Sequence, residues 1–489
     1  MLLKVKSLRL STGRPVAILH EKTAKALSIY VGERIRIRNK QDIIAIVDLA
    51  KGILKENEIA LSSEVLKALN ISEGHAVTVS AVPPPKTTSF ILKKLHGEEL
   101  NYDEIFMLVR DIVSNSLTEA ELAYFISGVY INGMSDMEIA DLTKSMVAFG
   151  KELRIKNTVY DKHSIGGIAG NRTTPLIVSI CSAVGIIIPK TSSKAITSAA
   201  GTADVIETFS KVEFNIDEIK KIIRKANACM VWGGALGLAP ADDKIIQVER
   251  ILSLDPEAQL IASILAKKLA VQAKGVLLDI PYGKSAKVKT KQEAIKLARR
   301  FQKIAKILKL KLETVVTDGS QPIGNGIGPV LEAKDILKVL RREKSRPLDL
   351  ERKALYLSSL LLKMAGKKNA EKLAEEILKS GKAYQQFKKI IESQKGTLKN
   401  IDKKLQPAKL SFPVNSEKSG KIKEIDNKKI AAVARAAGCP ADKSAGIYLN
   451  VHVNDKISKN QPLMIIYAET PDKLKFAKET YNRLKPVSY

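Results

Sequence analysis

The stretch Lys162–Thr174, KHSIGGIAGNRTT, gathers an ammonium, an imidazole, hydroxyls at Ser164, Thr173 and Thr174, and glycines at Gly166, Gly167 and Gly170 between two apolar segments. Upstream, NTVY reads as the end of a strand. Downstream, PLIVSICSAVG reads as an apolar helix, with Thr174 as its N-cap and Pro175 at its first position. A glycine-rich turn from strand to helix aims backbone N–H groups at a positive helix end, which is the chemistry of a phosphate cradle. Lys162 adds a cation and the hydroxyls add donors. A tight turn with no ligand has a similar composition, so this loop alone does not decide.

A second loop of the same character follows. IIIPK reads as a strand, and TSSKAITSAAGTADVIE after it is small, hydroxylated and glycine-containing. Two such loops at the carboxyl ends of successive parallel strands face one crevice in an open sheet. That pairing favours an anion site over two unrelated turns. Asp255, between an apolar run and Pro256, reads as a helix cap or as an acid, and an acid needs partial burial to raise its pKa. Ser263 and Lys267 stand four apart and share one helix face.

The elements that must position these residues fall into four expected domains. Residues 1–84 carry short alternating apolar runs (LKVKSLRL, ERIRIRN, HAVTVSAV) and read as a small β-rich barrel closed by a proline linker. Residues 85–155 turn helical, with Thr118 and Ser135 as N-caps. Residues 156–410 alternate strand and helix signals, then return as Lys/Glu-rich helices. Residues 411–489 mix strands with a helix. The expected fold class is multidomain α/β: an N-terminal β-barrel-like domain, a helical domain and a large, mainly parallel α/β domain forming a cleft, and a C-terminal α+β domain.

Bulk properties exclude several classes. A hydrophobic share of 45% and a net charge of +29 describe a globular, basic chain. The positive charge lies along Lys-rich helix faces, and aromatics make up only 5% without alternating with basic residues, so no nucleic-acid-stacking surface is expected. The field would still draw in small polyanions such as nucleotides and phosphate. The apolar run after Thr174 is short and interrupted by Ser179, Cys181, Ser182 and Gly185, so no membrane span is expected. The opening MLLKVKSLRL alternates like a strand rather than a leader, and the three cysteines have no metal-site spacing. A reduced, cytoplasmic setting without a bound metal fits both.

Several long motifs occur in one order: DKHSIGG, SSKAITSAAGTADVIE, LAPADD, LIASILAKKLA and TDGSQPIGNGIGPVLEA. Together they resemble the thymidine and pyrimidine-nucleoside phosphorylase family. Over essentially the whole chain, N-terminal domain included, the sequence is most similar to that family's archaeal branch, which acts on nucleoside 5′-monophosphates. The resemblance implies a helical domain joined to a large α/β domain, with the active site in the cleft between them. It implies phosphorolysis without a cofactor: AMP and phosphate give adenine and ribose 1,5-bisphosphate, with CMP and UMP as further substrates. It also implies a homodimer or larger homo-oligomer.

The resemblance distributes roles. Lys162, Ser164, Gly167 and one of Thr173 and Thr174 match the first phosphate-side loop. Ser193, Lys194, Ala195, Ile196, Thr197, Ser198 and Thr202 match a nucleotide-contacting segment, with Lys194 where the family usually has arginine. Asp255 matches the proton donor to the leaving base. Ser263 and Lys287 match base- or nucleotide-contacting positions, and Lys267 a base-reading lysine. His163 is a general acid, a ribose contact or a structural hydrogen bonder, and Arg250 a base contact or a surface ion pair. Two other readings stand beside this one: a pyrimidine-nucleoside phosphorylase acting on uridine or thymidine, and a non-catalytic basic nucleic-acid binder.

Overall fold

A computed structural model describes residues 1–8, 10–195 and 198–489. The chain divides into two compact units, Met1–Gly150 with Ala239–Ala266, and Lys151–Leu238 with Lys267–Tyr489.

The first unit opens with six strands: β1 (Leu2–Ser7), β2 (Val16–His20), β3 (Arg34–Arg38), β4 (Asp42–Ala50), β5 (Glu58–Leu61) and β6 (Ala76–Ala81). They close into a barrel in the order β1-β5-β2-β4-β3-β6. Alternation decides which faces turn inward: in RIRIR of β3, Ile35 and Ile37 are buried while Arg36 and Arg38 face water. Arg34 is the exception. It is buried, and its Nε donates to the Ser116 carbonyl at 2.6 Å while its guanidinium pairs with Glu121.

The helices that follow start where their caps are. Asn101, Thr118 and Ser135 each form a reciprocal capping box with the glutamate three residues on. Glu138 does more than cap. Fully buried, it also accepts from the Lys94 ammonium at 2.9 Å and from the Leu100 N–H at 2.9 Å. The helix Pro240–Leu252 belongs to this unit, although its sequence lies inside the expected α/β segment 156–410. The reason is Lys244, whose ammonium donates to the carbonyls of Ile112 and Val113 at 2.8 and 2.7 Å. A cation there neutralises the negative end of the helix Tyr102–Val113.

The second unit is built on parallel strands β7 (Val159–Ser164), β8 (Ile188–Ser192), β9 (Ala228–Trp232), β10 (Ala273–Tyr282) and β11 (Lys311–Asp318). One sheet runs β11-β10-β7 and a second pairs β8 with β9, with a parallel bridge from Val159 to Ile187. Strand β10 reads as a continuous apolar run because both its faces are covered; Val276, Leu277, Leu278 and Ile280 are all buried. A four-stranded antiparallel sheet follows, with Gly326–Ile327 at its edge beside Gly446–Leu449, Pro462–Ala468 and Leu410–Asn415, and two small sheets complete the unit, Gly420–Lys421 with Lys456–Ile457 and Glu424–Ile425 with Val487–Ser488. No helix among the described residues is long and apolar enough to cross a membrane.

Two local expectations need correction. Strand β7 runs through Lys162 and His163 to Ser164, so the chemistry-bearing segment begins on the strand rather than in the loop. The following helix is Thr173–Ser182 with Arg172, not Thr174, at the N-cap. The tight turn at Gly170, where the Arg172 N–H reaches the Gly170 carbonyl at 2.7 Å, starts the helix earlier. Pro175 is then the third helical residue, where its missing N–H has no intrahelical partner to lose.

Candidate active site

Because side chains alternate along β7, Lys162 and Ser164 share one face and Asp161 and His163 the other. On the first face, the Lys162 ammonium donates to Thr173 Oγ1 at 3.2 Å and Thr174 Oγ1 at 3.5 Å. Both threonines therefore reach it. Ser164 donates to Asp279 Oδ2 at 2.9 Å, Thr317 donates to Asp279 Oδ1 at 2.6 Å, and the Lys353 ammonium lies 3.4 Å from the same carboxylate. Burial alone would raise the Asp279 carboxyl, but Lys353, Lys162 and the two hydroxyls outweigh it and hold it below the ordinary value. Lys162 is buried and pushed down to about 8, first by burial, with Asp279 opposing and Lys353 and Arg172 adding to the effect. Two lysines share one carboxylate here, which leaves excess positive charge beside two threonine hydroxyls. That is an environment for an anion.

The opposite face repeats the arrangement. Asp161, fully buried, accepts from Lys268 at 2.5 Å and lies 3.6 Å from the Lys190 ammonium. Burial disfavours its charge, but Lys190 and Lys268 more than compensate and its pKa is lowered. Burial pushes Lys190 down to about 7, with Asp161 pulling the other way. His163 keeps partial exposure at its edge, yet burial and then Lys268, Lys190, Lys267 and Lys162 lower it well below the usual imidazole range. It is a neutral ring at neutral pH, suited to hydrogen bonding rather than to carrying a proton as imidazolium.

Glycine sets the loop's approach to Lys287. Gly167 has φ +88°, and a Cβ there would lie 2.6 Å from the Lys287 backbone nitrogen. In the second loop, Asp204 accepts from the N–H groups of Ala195 and Gly201 at 2.7 and 2.8 Å and folds the segment onto itself. Thr202 then opens the short helix Thr202–Ile206. Ser193 and Ser198 are exposed at this loop. The Lys194 ammonium is held by Glu213 at 3.2 Å and Glu207 at 3.5 Å, over the Trp232 ring. Ile196 and Thr197 lie outside the described residues.

The second unit thus brings Lys162, Ser164, Thr173, Thr174, Gly167 and the Lys287 backbone into one neighbourhood. Asp255 and Ser263 belong to the first unit. Asp255 is exposed, without the partial burial expected of an acid, and it lies two residues before the helix Glu257–Ala270. Ser263 and Lys267 are both half-buried on that helix. Sequence reasoning missed Asp279, Thr317 and Lys353. The one available signal was a carboxylate inside the apolar run GVLLDIPY. Among the described residues, no three His, Cys, Asp or Glu side chains cluster as a metal ion would require.

Residues 88–150 match the model for the helical bundle domain of a glycosyl transferase family, 156–384 its a/b domain, and 421–485 the pyrimidine nucleoside phosphorylase C-terminal domain. The chain is 42% identical to the AMP phosphorylase of Thermofilum pendens, covering 100% of this chain and 95% of that one. The chain belongs to the AMP phosphorylase family. Other family members include the AMP phosphorylases of Thermococcus kodakarensis, 42% identical over 99% of this chain and 97% of that one, and of Methanocaldococcus jannaschii, 40% identical over 96% and 94%. The fold alone is also shared with the crystal structure of anthranilate phosphoribosyltransferase from Thermus thermophilus, at a TM-score of 0.52 and 17% identity, over 63% of this chain and 99% of that one.

Proposed function

We propose that this member of the AMP phosphorylase family catalyses phosphorolysis of AMP. A phosphate oxygen attacks C1′ of the ribose, the bond from C1′ to N9 breaks, and adenine leaves as ribose 1,5-bisphosphate forms. CMP and UMP react in the same way. Positive charge builds on an oxocarbenium-like ribose, as in other glycosyl transfers. The purine needs a proton as it departs, and Asp255 supplies it, at N7 of adenine. Asp255 is exposed here and would be covered by the bound base. Lys162, Ser164, Gly167 and Thr173 or Thr174 hold the nucleophilic phosphate; the segment Ser193–Ser198 with Thr202, Ser263, Lys267 and Lys287 hold the nucleotide. His163 contacts substrate as a neutral imidazole. The enzyme works as a homo-oligomer in the cytoplasm.

The observation that carries this reading is the buried Lys162 ammonium beside two threonine hydroxyls, in a chain similar to AMP phosphorylases over its whole length. The match of residues 421–485 to a pyrimidine nucleoside phosphorylase domain keeps one alternative in view, a phosphorylase of uridine or thymidine. Phosphate-dependent release of free base from AMP, compared with adenosine and uridine, separates the two. A required 5′-phosphate should make AMP the better substrate by orders of magnitude in kcat/KM, since each lost charge-assisted contact costs about 1.5–3 kcal/mol. Equal rates on uridine and its monophosphate would favour the alternative.

A further inference from the structure

Arg172 sits between the glycine turn and the threonines of the first loop, and none of the roles above uses it. Its side chain is only 13% exposed. Its Nε pairs with the Glu332 carboxylate, and its Nη2 donates to the carbonyl of Ala200 in the second loop. Glu332 is fixed from its other side. Its Oε1 accepts from the Gly328 N–H at 3.0 Å, at the N-terminus of the helix Pro329–Leu340, and its side chain is 1% exposed. The Ala200 carbonyl also accepts from Ser198 Oγ at 3.1 Å. One planar guanidinium therefore joins three parts of the second unit: the first loop, the second loop and a buried helix terminus.

We propose that Arg172, anchored by Glu332, is a positioning residue that locks the phosphate-side loop and the nucleotide-side loop into a single geometry. The inference rests on the proposed AMP phosphorolysis. Burial raises the Glu332 carboxyl and Arg172 draws it back down, so removing the arginine would leave a buried carboxyl without its counter-charge. The fork is what lets one side chain serve both contacts. A lysine reaches Glu332 with a point charge and gives up the Ala200 carbonyl. The second loop, and with it the nucleotide, should suffer more than the phosphate side.

The test is steady-state kinetics with both substrates varied, on the full chain and on Arg172→Lys, Glu332→Gln and the double variant. Glu332→Gln keeps an acceptor for the Gly328 N–H, so the helix start survives. Arg172→Lys should raise the KM for AMP about tenfold or more, the worth of one charge-assisted hydrogen bond, and the KM for phosphate by less. Glu332→Gln should raise both. The double variant should be no worse than the more severe single one, because the pair acts as one strut. Should Arg172→Lys fail to fold, Glu332→Gln carries the same KM measurement. A lowered melting temperature with the AMP KM within about twofold of the parent would mean that the pair only stabilises the fold, and additive losses in the double variant would mean two independent contacts; either overturns the proposal. If the parent enzyme releases no adenine from AMP, the functional reading itself fails, an outcome distinct from both.

Discussion

At the scale of residues, the excess cations around β7 lead to two tests. Lys162 is pushed down to about 8, so its ammonium is charged well below that pH and loses its proton as pH rises through it. The KM for phosphate should be lowest on the acid side and rise as pH passes through about 8. Lys162→Ala should raise that KM about tenfold or more and remove the alkaline limb; an unchanged KM and kcat would place Lys162 outside the site. Asp255→Asn keeps a hydrogen-bond donor but cannot transfer a proton. It should fold and bind AMP yet lose about a hundred- to ten-thousand-fold in kcat, whereas near-parental turnover would remove Asp255 from the mechanism. Lys162, Ser164, Thr173 and Thr174 were legible because they crowd into one short segment. Asp279 was not, because Ser164 and the carboxylate it meets are 115 positions apart. Arg172 stood in plain view inside the motif, but its partners Glu332 and Ala200 are fixed only by the tertiary fold.

At the scale of elements, local chemistry was the more readable kind. Thr118 and Ser135 cap their helices as their spacing to Glu121 and Glu138 requires. Capping is not all that Glu138 does, and this separates two variants. Ser135→Ala should cost about 1 kcal/mol in urea unfolding, the usual worth of a cap. Glu138→Gln should cost about 3–5 kcal/mol, because it also leaves the buried Lys94 ammonium without its counter-charge. Equal losses would show that the Lys94 pair contributes nothing beyond the cap. The start of the helix after the first loop was misread because Thr174 and Pro175 carry the ordinary start signal. The backbone turn at Gly170 overrides it, and no propensity scale contains that turn.

At the scale of the whole chain, the order of barrel strands, helices and parallel strands could be followed in the sequence, but the grouping of elements could not. Nothing in PADDKIIQVERIL announces that this helix packs with residues near 112; the Lys244 contacts that place it there are long-range. The second unit also carries a stability cost set by its buried lysines. Lys190 titrates near 7 in the fold and near 10.5 when unfolded, so the penalty for burying its charge is present below about 7 and is relieved as pH rises toward 10.5. The phosphate-free protein should therefore gain stability between pH 7 and 9. Lys190→Met should be more stable than the parent at pH 7 and show a flatter profile; a parent melting temperature that falls steadily over that range, unchanged in slope by the substitution, would count against the buried charge.

The small C-terminal sheet bears on how the protein is made. Ala169 of the first loop and Ala199 of the second share a hydrophobic core with Ile425, Ile430 and Val487, and the Ala169 N–H is held by the Asn427 side chain at 3.0 Å. Glu424 and Ile425, just before that asparagine, pair with Ser488 and Val487. The floor under both loops is therefore laid by residues translated hundreds of positions after the loops themselves. A nascent chain still short of Val487 lacks part of that floor, so a ribosome that stalls early leaves both loops without the support that Ile425, Asn427 and Val487 supply.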